Sequence, residues 1–319
     1  MKKMKICVIG AGKWGTNHIK TLFSLNTSVG CVDTNKKQLQ KVKSQFNQIN
    51  CFPSVEESFK ENFDGYIIAT PPISHAKLAK LVISNHKPVL VEKPLCTSVS
   101  EAKKIKSILK KYNGTLMVGH LLLFHPAVQK IKSMIDQGII GEIQYIYSNR
   151  LNFGTIRTEE NVFWSFAPHD ISLFQFYSNS FPSKVFSMGG DFLQKNIHDT
   201  TITYLKYPNG IQGHIYVSWL HPFKEHRLVI IGSEGSLHFE DSAKNKPLLL
   251  YEKDDAQDIL SMKNKISKKI EYQPILALEN ELKYFIKSIK GNTDKIANID
   301  KGMDVIKILE MSSKSLNSN

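Results

Sequence analysis

The stretch Lys5-Ile6-Cys7-Val8-Ile9-Gly10-Ala11-Gly12-Lys13-Trp14-Gly15 decides the fold of this chain. A short apolar run leads directly into a G-x-G-x-x-G sequence, and residues 14–25 continue with a helical pattern. Asp33 ends a second apolar run, 18 residues beyond the last glycine. Glycines at this spacing are weak evidence by themselves. With a strand before them, a helix after them and an acid beyond, they predict a dinucleotide-binding turn.

Each glycine of this motif has a physical role in the prediction. Gly10 would permit a tight turn, Gly12 would let the backbone approach a pyrophosphate, and Gly15 would let the helix pack close to the sheet. The phosphates would lie on unpaired N–H groups at the helix start, where Lys13 and Trp14 stand. We therefore expect all five residues to contact or shape the cofactor site.

Asp33 bears on which cofactor binds. Its carboxylate would accept hydrogen bonds from the adenosine ribose hydroxyls and would repel a 2′-phosphate, which favours NAD over NADP. Lys36 and Lys37 nearby weaken this discrimination. The alternative is a glycine-rich turn that binds no ligand.

The length and charge of the chain narrow the possible partners. With 319 residues, of which 41% are hydrophobic, the chain can bury two cores. Its formal net charge is +13, yet only three of its 42 basic residues are arginine, namely Arg150, Arg157 and Arg227. The lysines spread over predicted helix faces and form no basic stripe interleaved with aromatic residues, so we expect no nucleic-acid partner.

The cysteines and the N-terminus indicate a reducing compartment. Cys7, Cys31, Cys51 and Cys96 have no C-x-x-C spacing and no metal-ligand pattern, so we expect no metal site. The apolar run that follows Met1 is too short for a signal peptide. No stretch approaches the roughly 18 apolar residues that a membrane helix needs. We therefore expect a cytoplasmic protein with no membrane partner.

Strands and helices alternate in the first part of the chain. Up to about residue 122, short apolar runs alternate with helical patterns such as residues 99–112. This alternation predicts an α/β fold that begins with a Rossmann domain, a doubly wound parallel sheet over residues 1–122. The strand candidates are residues 5–9, 28–33, 65–69, 88–92 and 115–119.

Longer strands with hairpin signals dominate the rest of the chain. Pro208-Asn209-Gly210 separates two of them and is a strong turn signal. We expect a C-terminal α+β domain over residues 123–319 with a large, mostly antiparallel open sheet. Residues 254–270 are rich in lysine and weakly periodic, which predicts a mobile loop. Strands are predicted at 141–151, 183–193, 198–207, 211–219 and 225–232, and helices at 126–137, 168–177, 275–290 and 302–315.

Residues that follow strands are candidates for the cofactor site, because open parallel sheets bind cofactors at the carboxyl ends of their strands. The strand at 65–69 is followed by Thr70, Pro71 and His75, which we assign to this site. Thr70 or Ser74 could also cap the next helix. A purely capping role is the alternative for His75.

The strand at 88–92 ends in Glu92-Lys93-Pro94. A lysine held there by the fixed φ of the following proline points into the cleft and not along the surface. Burial can lower the pKa of such a lysine towards the range useful for proton transfer. We predict that Glu92 and Lys93 contact the cofactor and that Lys93 is catalytic. Because lysine is so common here, a surface position is the alternative for any single lysine.

Together these motifs resemble the Gfo/Idh/MocA oxidoreductase family, named for glucose–fructose oxidoreductase and inositol dehydrogenase. The resemblance rests on the glycine motif at 10–15, on Thr70-Pro71-Pro72 followed by His75, and above all on Glu92-Lys93-Pro94, and it covers the whole chain. It implies a second domain that binds substrate and forms oligomers, so we expect a homodimer or homotetramer. It also implies a cis peptide bond between Lys93 and Pro94.

In that family a second catalytic group comes from a helical Asp-x-x-x-His segment. Residues 164–170 correspond to it here, and His169 matches the histidine, which the resemblance implies is an acid/base. Ser165 stands where the family has its aspartate, which puts a carboxylate relay there in doubt, although Asp170 could orient the imidazole instead. Lys93 would polarise the reacting hydroxyl and His169 would receive its proton, or the two would exchange roles.

Two of the three arginines lie in one segment, and this pairing indicates the class of substrate. Arg150 and Arg157, with Asn152, Asn161 and Asp170, are the predicted substrate residues. The planar fork of arginine suits phosphate and carboxylate, so the pair indicates an anionic substrate such as a nucleotide-linked or phosphorylated sugar. A structural salt bridge is the alternative for each arginine.

The leading hypothesis is an NAD-dependent sugar dehydrogenase that moves a hydride from a ring hydroxyl, by family analogy at C3, to nicotinamide. The arginine segment and residues 218–224 also resemble family members of polysaccharide and nucleotide-sugar biosynthesis. Two alternatives stay open. One is an NAD-dependent glycosidase that oxidises its substrate transiently, and the other is a sensor or scaffold that binds NAD without turnover.

Overall fold

The structure is a computed structural model that describes residues 3–252, 268–291 and 296–317. The chain forms two compact units: one comprises Met1–His125 and Ile275–Lys307, and the other comprises Pro126–Pro274 and Ile308–Asn319. The sequence-based division at 122 and 123 assigned residues 275–307 to the second domain, whereas their contacts place them in the first unit.

The first unit is built on a parallel six-stranded sheet in the order β3-β2-β1-β4-β5-β6. Its central strands are buried throughout, as expected where helices cover both faces of a parallel sheet. The predicted doubly wound sheet is confirmed, with one added edge strand, β3, whose three residues are too few for a sequence signal. The strands are β1 (Lys5–Ile9), β2 (Ser28–Val32), β3 (Asn50–Phe52), β4 (Gly65–Ile68), β5 (Val89–Glu92) and β6 (Leu116–Gly119).

Helices connect these strands as right-handed crossovers require. The helices are α1 (Lys13–Ser24), α2 (Lys36–Gln45), α3 (Val55–Ser58), α4 (Pro72–Ser84) and α5 (Val99–Lys111), and 3₁₀ segments lie at Phe59–Glu61 and Leu121–Phe124.

The second unit is built on an eight-stranded sheet in the order β14-β13-β12-β11-β7-β10-β9-β8. Only β7 and β10 pair in parallel among the described strands of this sheet, so the prediction of a mostly antiparallel sheet is confirmed. The strands are β7 (Ile143–Phe153), β8 (Lys184–Gly190), β9 (Thr200–Lys206), β10 (Gln212–Ser218), β11 (Leu220–Gly232), β12 (Gly235–Glu240), β13 (Leu248–Glu252) and β14 (Lys268–Lys269).

Some of the sequence-based predictions for the second unit are confirmed and others are wrong. Gly210 has a φ of +87° in the turn between β9 and β10, as predicted. Two helices belong to this part, α6 (Pro126–Asp136) and α7 (Val162–Ser178). The prediction that the second of these begins at residue 168 is wrong, because Asn161 caps the helix and Pro168 lies inside it. The loop predicted at 254–270 falls largely on residues 253–267, which lie outside the described residues.

Two C-terminal helices, α8 (Ala277–Ile289) and α9 (Ile299–Asn317), confirm the predictions near 275–290 and 302–315. Helix α8 returns to the first unit and contacts α1 and the 3₁₀ segment Leu121–Phe124. Leu282 and Phe285 are fully buried, and a Cβ on Gly65 would lie 3.3 Å from the Phe285 ring. The apolar face of α8 is thus covered by the first sheet, which explains why residues 275–307 belong to that unit.

The described ranges contain neither a candidate membrane-spanning helix nor a candidate metal-binding cluster. No helix there is long and apolar enough to cross a membrane. No group of three or more His, Cys, Asp or Glu side chains there could hold a metal ion.

Candidate active site

The glycine turn between β1 and α1 contains two glycines that packing requires and one that it does not. Gly10 has a φ of +104°, and a Cβ on it would lie 2.6 Å from the carbonyl oxygen of Ala69. A Cβ on Gly15 would lie 1.8 Å from the carbonyl oxygen of Gly10. Gly12 differs, because a Cβ there would meet no protein atom within 4 Å and its φ of −71° suits any residue. Packing therefore requires Gly10 and Gly15, whereas a ligand approaching the backbone explains Gly12.

The start of α1 presents backbone N–H groups without a competing acid. Gly12 is the N-cap and offers no side chain, and the first turn contains no acidic residue. The first N–H groups of a helix have no partner within it and carry the positive end of its dipole. Lys13 and Trp14 are exposed at this end, Trp14 by 46%. The turn thus fits the pyrophosphate of a dinucleotide.

Asp33, just after β2, is tied to the glycine turn. Its Oδ2 accepts a hydrogen bond from the N–H of Ala11 at 2.7 Å, and its Oδ1 accepts one from the N–H of Asn35 at 2.8 Å. A carboxylate offers about four lone-pair positions, so these two bonds leave acceptor capacity for a ribose. The contact of Asp33 with ribose hydroxyls stays a prediction.

The turn after β4 is held by its own side chains. Thr70 Oγ1 and Ser74 Oγ lie 2.6 Å apart, and Ser74 Oγ donates to the carbonyl oxygen of Pro71 at 2.7 Å. Helix α4 has Pro71 as its N-cap and no side-chain cap, so the prediction that Thr70 or Ser74 caps it is wrong. Pro72 at the first helical position presets φ and has no N–H that needs a cap.

His75 is buried in the first unit and joins two turns. It is 1% exposed, with Nδ1 2.8 Å from the carbonyl oxygen of Pro94 and Nε2 2.8 Å from that of Thr70. Burial lowers the pKa of His75 below its ordinary value, although the two carbonyl contacts act in the opposite direction. Backbone carbonyls thus lie beside both ring nitrogens, and the contact of His75 with the cofactor stays a prediction. The ring holds the turn after β5 against the turn after β4.

Glu92-Lys93-Pro94 closes β5, and the bond between Lys93 and Pro94 is cis, as predicted. Glu92 Oε1 lies 2.7 Å from Nε2 of His18 on α1, and Glu92 Oε2 accepts a hydrogen bond from the backbone N–H of Lys93 at 3.2 Å. Burial by itself would raise the pKa of Glu92, but its hydrogen bond with His18 and the charges of His18 and Lys93 bring it below its ordinary value. Glu92 is therefore a carboxylate that fixes the backbone of Lys93, and its contact with the cofactor stays a prediction.

Three buried titratable groups of the first unit escaped the sequence analysis. His18 is 0% exposed on α1, His120 is 1% exposed just after β6, and Glu281 is 0% exposed on α8. Burial, and then the charge of Lys93, lowers the pKa of His120 to about 4, so its imidazole is neutral near neutral pH. The position of His120 after a strand was the same signal that selected Lys93. His18 and Glu281 lie on helices and gave no such signal.

In the second unit, α7 carries the segment predicted to supply the acid/base. Asn161 caps this helix, and its Oδ1 accepts a hydrogen bond from the N–H of Trp164 at 3.1 Å. That bond uses the amide oxygen of a residue predicted to bind substrate, so its structural role is capping. Ser165 is buried on this helix and His169 is half-buried. The catalytic role of His169 stays a prediction.

Arg150 and Asp170 form a buried, bidentate ion pair. Nε and Nη2 of Arg150 donate to the two carboxylate oxygens of Asp170 at 2.7 and 3.1 Å, and the side chains are 11% and 2% exposed. Burial would lower the pKa of Arg150, but the charge and hydrogen bonds of Asp170 raise it above its ordinary value. Arg150 thus forms the structural salt bridge that was its alternative role, while its contact with an anionic substrate and the orientation of His169 by Asp170 stay predictions.

Asn152 and Arg157 complete the predicted substrate residues. Asn152 Oδ1, near the end of β7, is buried and has no hydrogen-bond partner among the residues that the structure describes. Arg157 is exposed, and its backbone carbonyl accepts a hydrogen bond from Gln194 Nε2 at 2.9 Å. Both side chains stay candidates for substrate binding.

Two family models match the chain. The model described as the oxidoreductase family with an NAD-binding Rossmann fold, GFO_IDH_MocA, matches residues 4–120. The model of the GFO/IDH/MocA C-terminal domain matches residues 128–238. The chain belongs to this family. The chain is accordingly an oxidoreductase with an NAD-binding Rossmann domain, and the contact of its glycine turn with NAD stays a prediction.

The chain is similar in sequence to dehydrogenases. It is 24% identical over 273 residues to scyllo-inositol 2-dehydrogenase (NAD(+)) of Bacillus subtilis, which covers 81% of this chain and 80% of that protein. It is 26% identical over 190 residues to UDP-N-acetylglucosamine 3-dehydrogenase of Acidithiobacillus ferrooxidans, over 59% of each chain.

The solved structures share the fold of the GFO/IDH/MocA protein from end to end. That of the Acidithiobacillus ferrooxidans enzyme matches with a TM-score of 0.87 and 20% identity, over 100% of this chain and 99% of that one. That of the WlbA dehydrogenase of Bordetella pertussis, in complex with NADH and UDP-GlcNAcA, matches with a TM-score of 0.81 and 20% identity, over 99% and 97% of the two chains.

Proposed function

We propose that this protein is an NAD-dependent dehydrogenase that oxidises a ring hydroxyl, at C3, of a nucleotide sugar. The placement of Lys93 carries the proposal. Lys93 follows β5, at the same carboxyl edge of the sheet as the glycine turn after β1, and Glu92 and Pro94 fix its backbone. Bound NAD supplies the hydride acceptor for such a reaction.

The oxidation also needs a group that handles the hydroxyl proton. Lys93 would donate a hydrogen bond to the hydroxyl oxygen and polarise it. His169 would receive the proton, or the two residues would exchange roles.

Support for a nucleotide sugar comes from the relatives and not from Arg150. One relative is a UDP-N-acetylglucosamine 3-dehydrogenase, and a solved structure of the same fold contains UDP-GlcNAcA. Arg157 is exposed and can still meet a phosphate. An anionic sugar is therefore the substrate class that we propose.

An oligomer is also part of the proposal, because β8 and β9 display apolar side chains on one side of the sheet. Phe186 is 49%, Met188 is 58% and Ile202 is 48% exposed, and Met188 and Ile202 are direct cross-strand partners. Apolar surface of this kind is typical of faces that another subunit covers. A homodimer or homotetramer stays a prediction that sedimentation equilibrium can test.

A substrate panel tests the proposed reaction. Purified protein and NAD would be mixed with UDP-N-acetylglucosamine, its uronate, free inositols or free sugars, and NADH would be followed by absorbance. We expect NADH with a UDP sugar. Lys93→Ala and His169→Ala should each lower kcat by about 10²-fold or more while NAD affinity changes little. Lys103→Ala, at an exposed position of α5, is the matched control and should retain full activity.

Each other outcome of this panel has a defined meaning. Full activity of either active-site variant would remove its assigned role. NADH formed from inositols but not from UDP sugars would replace the substrate class. Cleavage of a glycoside without net NADH would favour the glycosidase, and tight NAD binding without any turnover would favour the sensor or scaffold.

A further inference from the structure

Three ionisable side chains are buried together in the first unit. Glu281 on α8 is 0% exposed, and neither of its carboxyl oxygens has a hydrogen-bond partner among the described residues. His18 on α1 is also 0% exposed and pairs through Nε2 with Glu92, while its Nδ1 has no such partner in the described ranges. Helices α1 and α8 are in contact. Glu281 is therefore buried on a helix that contacts the helix of His18, the partner of Glu92.

Electrostatics decides which of the two acids keeps its proton. Glu92 is the ionised one, since its partners His18 and Lys93 hold its pKa below the ordinary value against the effect of burial. For Glu281, burial and then the negative charge of Glu92 raise the pKa well above the ordinary value. Glu281 is therefore a neutral carboxylic acid whenever Glu92 is a carboxylate.

The hydrogen-bonding needs of Glu281 and His18 are complementary. An ionised Glu92 only accepts hydrogen bonds, so His18 donates to it through Nε2, and the tautomer with its proton on Nε2 leaves Nδ1 as an acceptor. A neutral carboxylic acid has one O–H to donate. Nδ1 of His18 on α1 is thus an acceptor without a donor, and the O–H of Glu281 on α8 is a donor without an acceptor. Buried water commonly bridges such groups.

We propose that Glu281 is a positioning residue: its carboxyl O–H donates a hydrogen bond to the His18–Glu92 pair and so preserves Glu92 as the negative charge beside Lys93. The role rests on the proposed function only in what Lys93 does to a substrate. The other titratable groups on or beside the elements packed against α8 are Lys13, Lys20, Tyr66, His120 and His125.

Infrared spectroscopy tests whether Glu281 holds a proton. The difference between wild type and Glu281→Gln at neutral pH should contain the C=O stretch of a protonated carboxylic acid. Glu279→Gln is the matched control, because Glu279 is on the same helix but pairs with Lys283 at the surface, and it should keep the band. Glu92→Gln should shift the loss of the band to lower pH, because Glu281 would then ionise without facing a second charge.

Amine labelling of Lys93 across pH, read by mass spectrometry, tests the positioning role without any substrate. Glu281→Gln keeps a neutral donor and should leave the titration of Lys93 unchanged. Glu281→Leu removes the donor, so Glu92 should be protonated more readily and Lys93 should react at lower pH, as in Glu92→Gln. Circular dichroism and NAD affinity would verify that the variants are folded.

Specific results would overturn the proposal. A wild-type spectrum without the band at neutral pH, or a band that Glu92→Gln leaves unmoved, would show that Glu281 does not share a proton with this group. Unchanged labelling in Glu281→Leu would reduce Glu281 to a space-filling residue, and equal shifts in the Gln and Leu variants would show that its charge is what matters. Since neither assay contains a sugar, failure of the proposed function would appear only in the substrate panel.

Discussion

Replacing Arg150 by methionine tests whether this arginine stabilises the second unit or binds the substrate. Arg150 donates two hydrogen bonds to Asp170, whose side chain is 2% exposed. Methionine fills a similar volume but leaves the carboxylate without its cation. Removing one member of a buried ion pair costs about 3–5 kcal/mol, chiefly because the remaining charge stays buried and unpaired.

That cost is measurable by urea or thermal unfolding followed by circular dichroism. With about 2–4 °C lost per kcal/mol in a unit of this size, Arg150→Met should lower Tm by roughly 6–20 °C. Asp170→Asn should destabilise as well. The double variant Arg150→Met/Asp170→Leu, which removes both charges, should recover most of the lost stability, because buried pairs can be exchanged for apolar residues at little cost.

Arg227→Met is the matched control for the loss of an arginine. Arg227 is 40% exposed and pairs with Glu240 and Glu225 at 3.2 and 3.6 Å. Exposed pairs contribute about 0–1 kcal/mol, so this variant should unfold nearly as wild type does. The reasoning is refuted if Arg150→Met has wild-type stability and instead raises KM for a UDP sugar, since the arginine would then serve the substrate.

Four further substitutions in the first unit test its glycine turn and its buried titratable groups. Gly12→Ala should leave stability unchanged but weaken NAD binding in a calorimetric titration. Gly15→Ala, whose Cβ would lie 1.8 Å from a carbonyl oxygen, should unfold at a lower denaturant concentration. Equal NAD affinity of Gly12→Ala and wild type would contradict the prediction that the glycine turn binds NAD. For Glu281, whose folded-state pKa lies above the ordinary 4.5, wild type loses about 1.4 kcal/mol of stability per pH unit as pH rises from 4.5 to that pKa. Glu281→Gln lacks this loss, so its stability relative to wild type should grow with pH, and a pH-independent difference would count against a buried neutral acid. For His120, the folded-state pKa of about 4 lies below the ordinary 6.5, so wild type should lose about 1.4 kcal/mol per unit as pH falls between these values, a loss absent from His120→Phe in urea titrations.

The elements of the first unit could be predicted because their signals are local. Each of its longer strands is a mostly apolar run, and Gly10 and Gly15 answer steric demands of the turn between β1 and α1. The edge strand β3 was missed because three residues are too few to show the alternating hydrophobic pattern of a strand. In the second unit, α7 began earlier than predicted because Asn161 supplied a cap that outweighed the expected break at Pro168.

The candidate site was only partly predictable, because its polar partners come from distant parts of the chain. His75 and Arg150 were identified as functional residues from their place in the sequence, but the structure gives both of them protein partners. His18 meets Glu92 across 74 residues, and Glu281 reaches the same region from the C-terminal end of the chain. The spacing of residues within a helix or strand does not predict contacts between side chains so far apart in the sequence.

The sequence by itself determined the strand, glycine turn and helix that are predicted to bind NAD, and it placed Lys93 at the edge of the same sheet. These features depend on backbone sterics and on short-range burial, which neighbouring residues dictate. Only the tertiary structure decided how the buried charges are matched: Arg150 with Asp170, and Glu92 with His18. The reason is physical, since a charge in the interior must find a partner, and packing of the sheets and helices decides which one lies within reach.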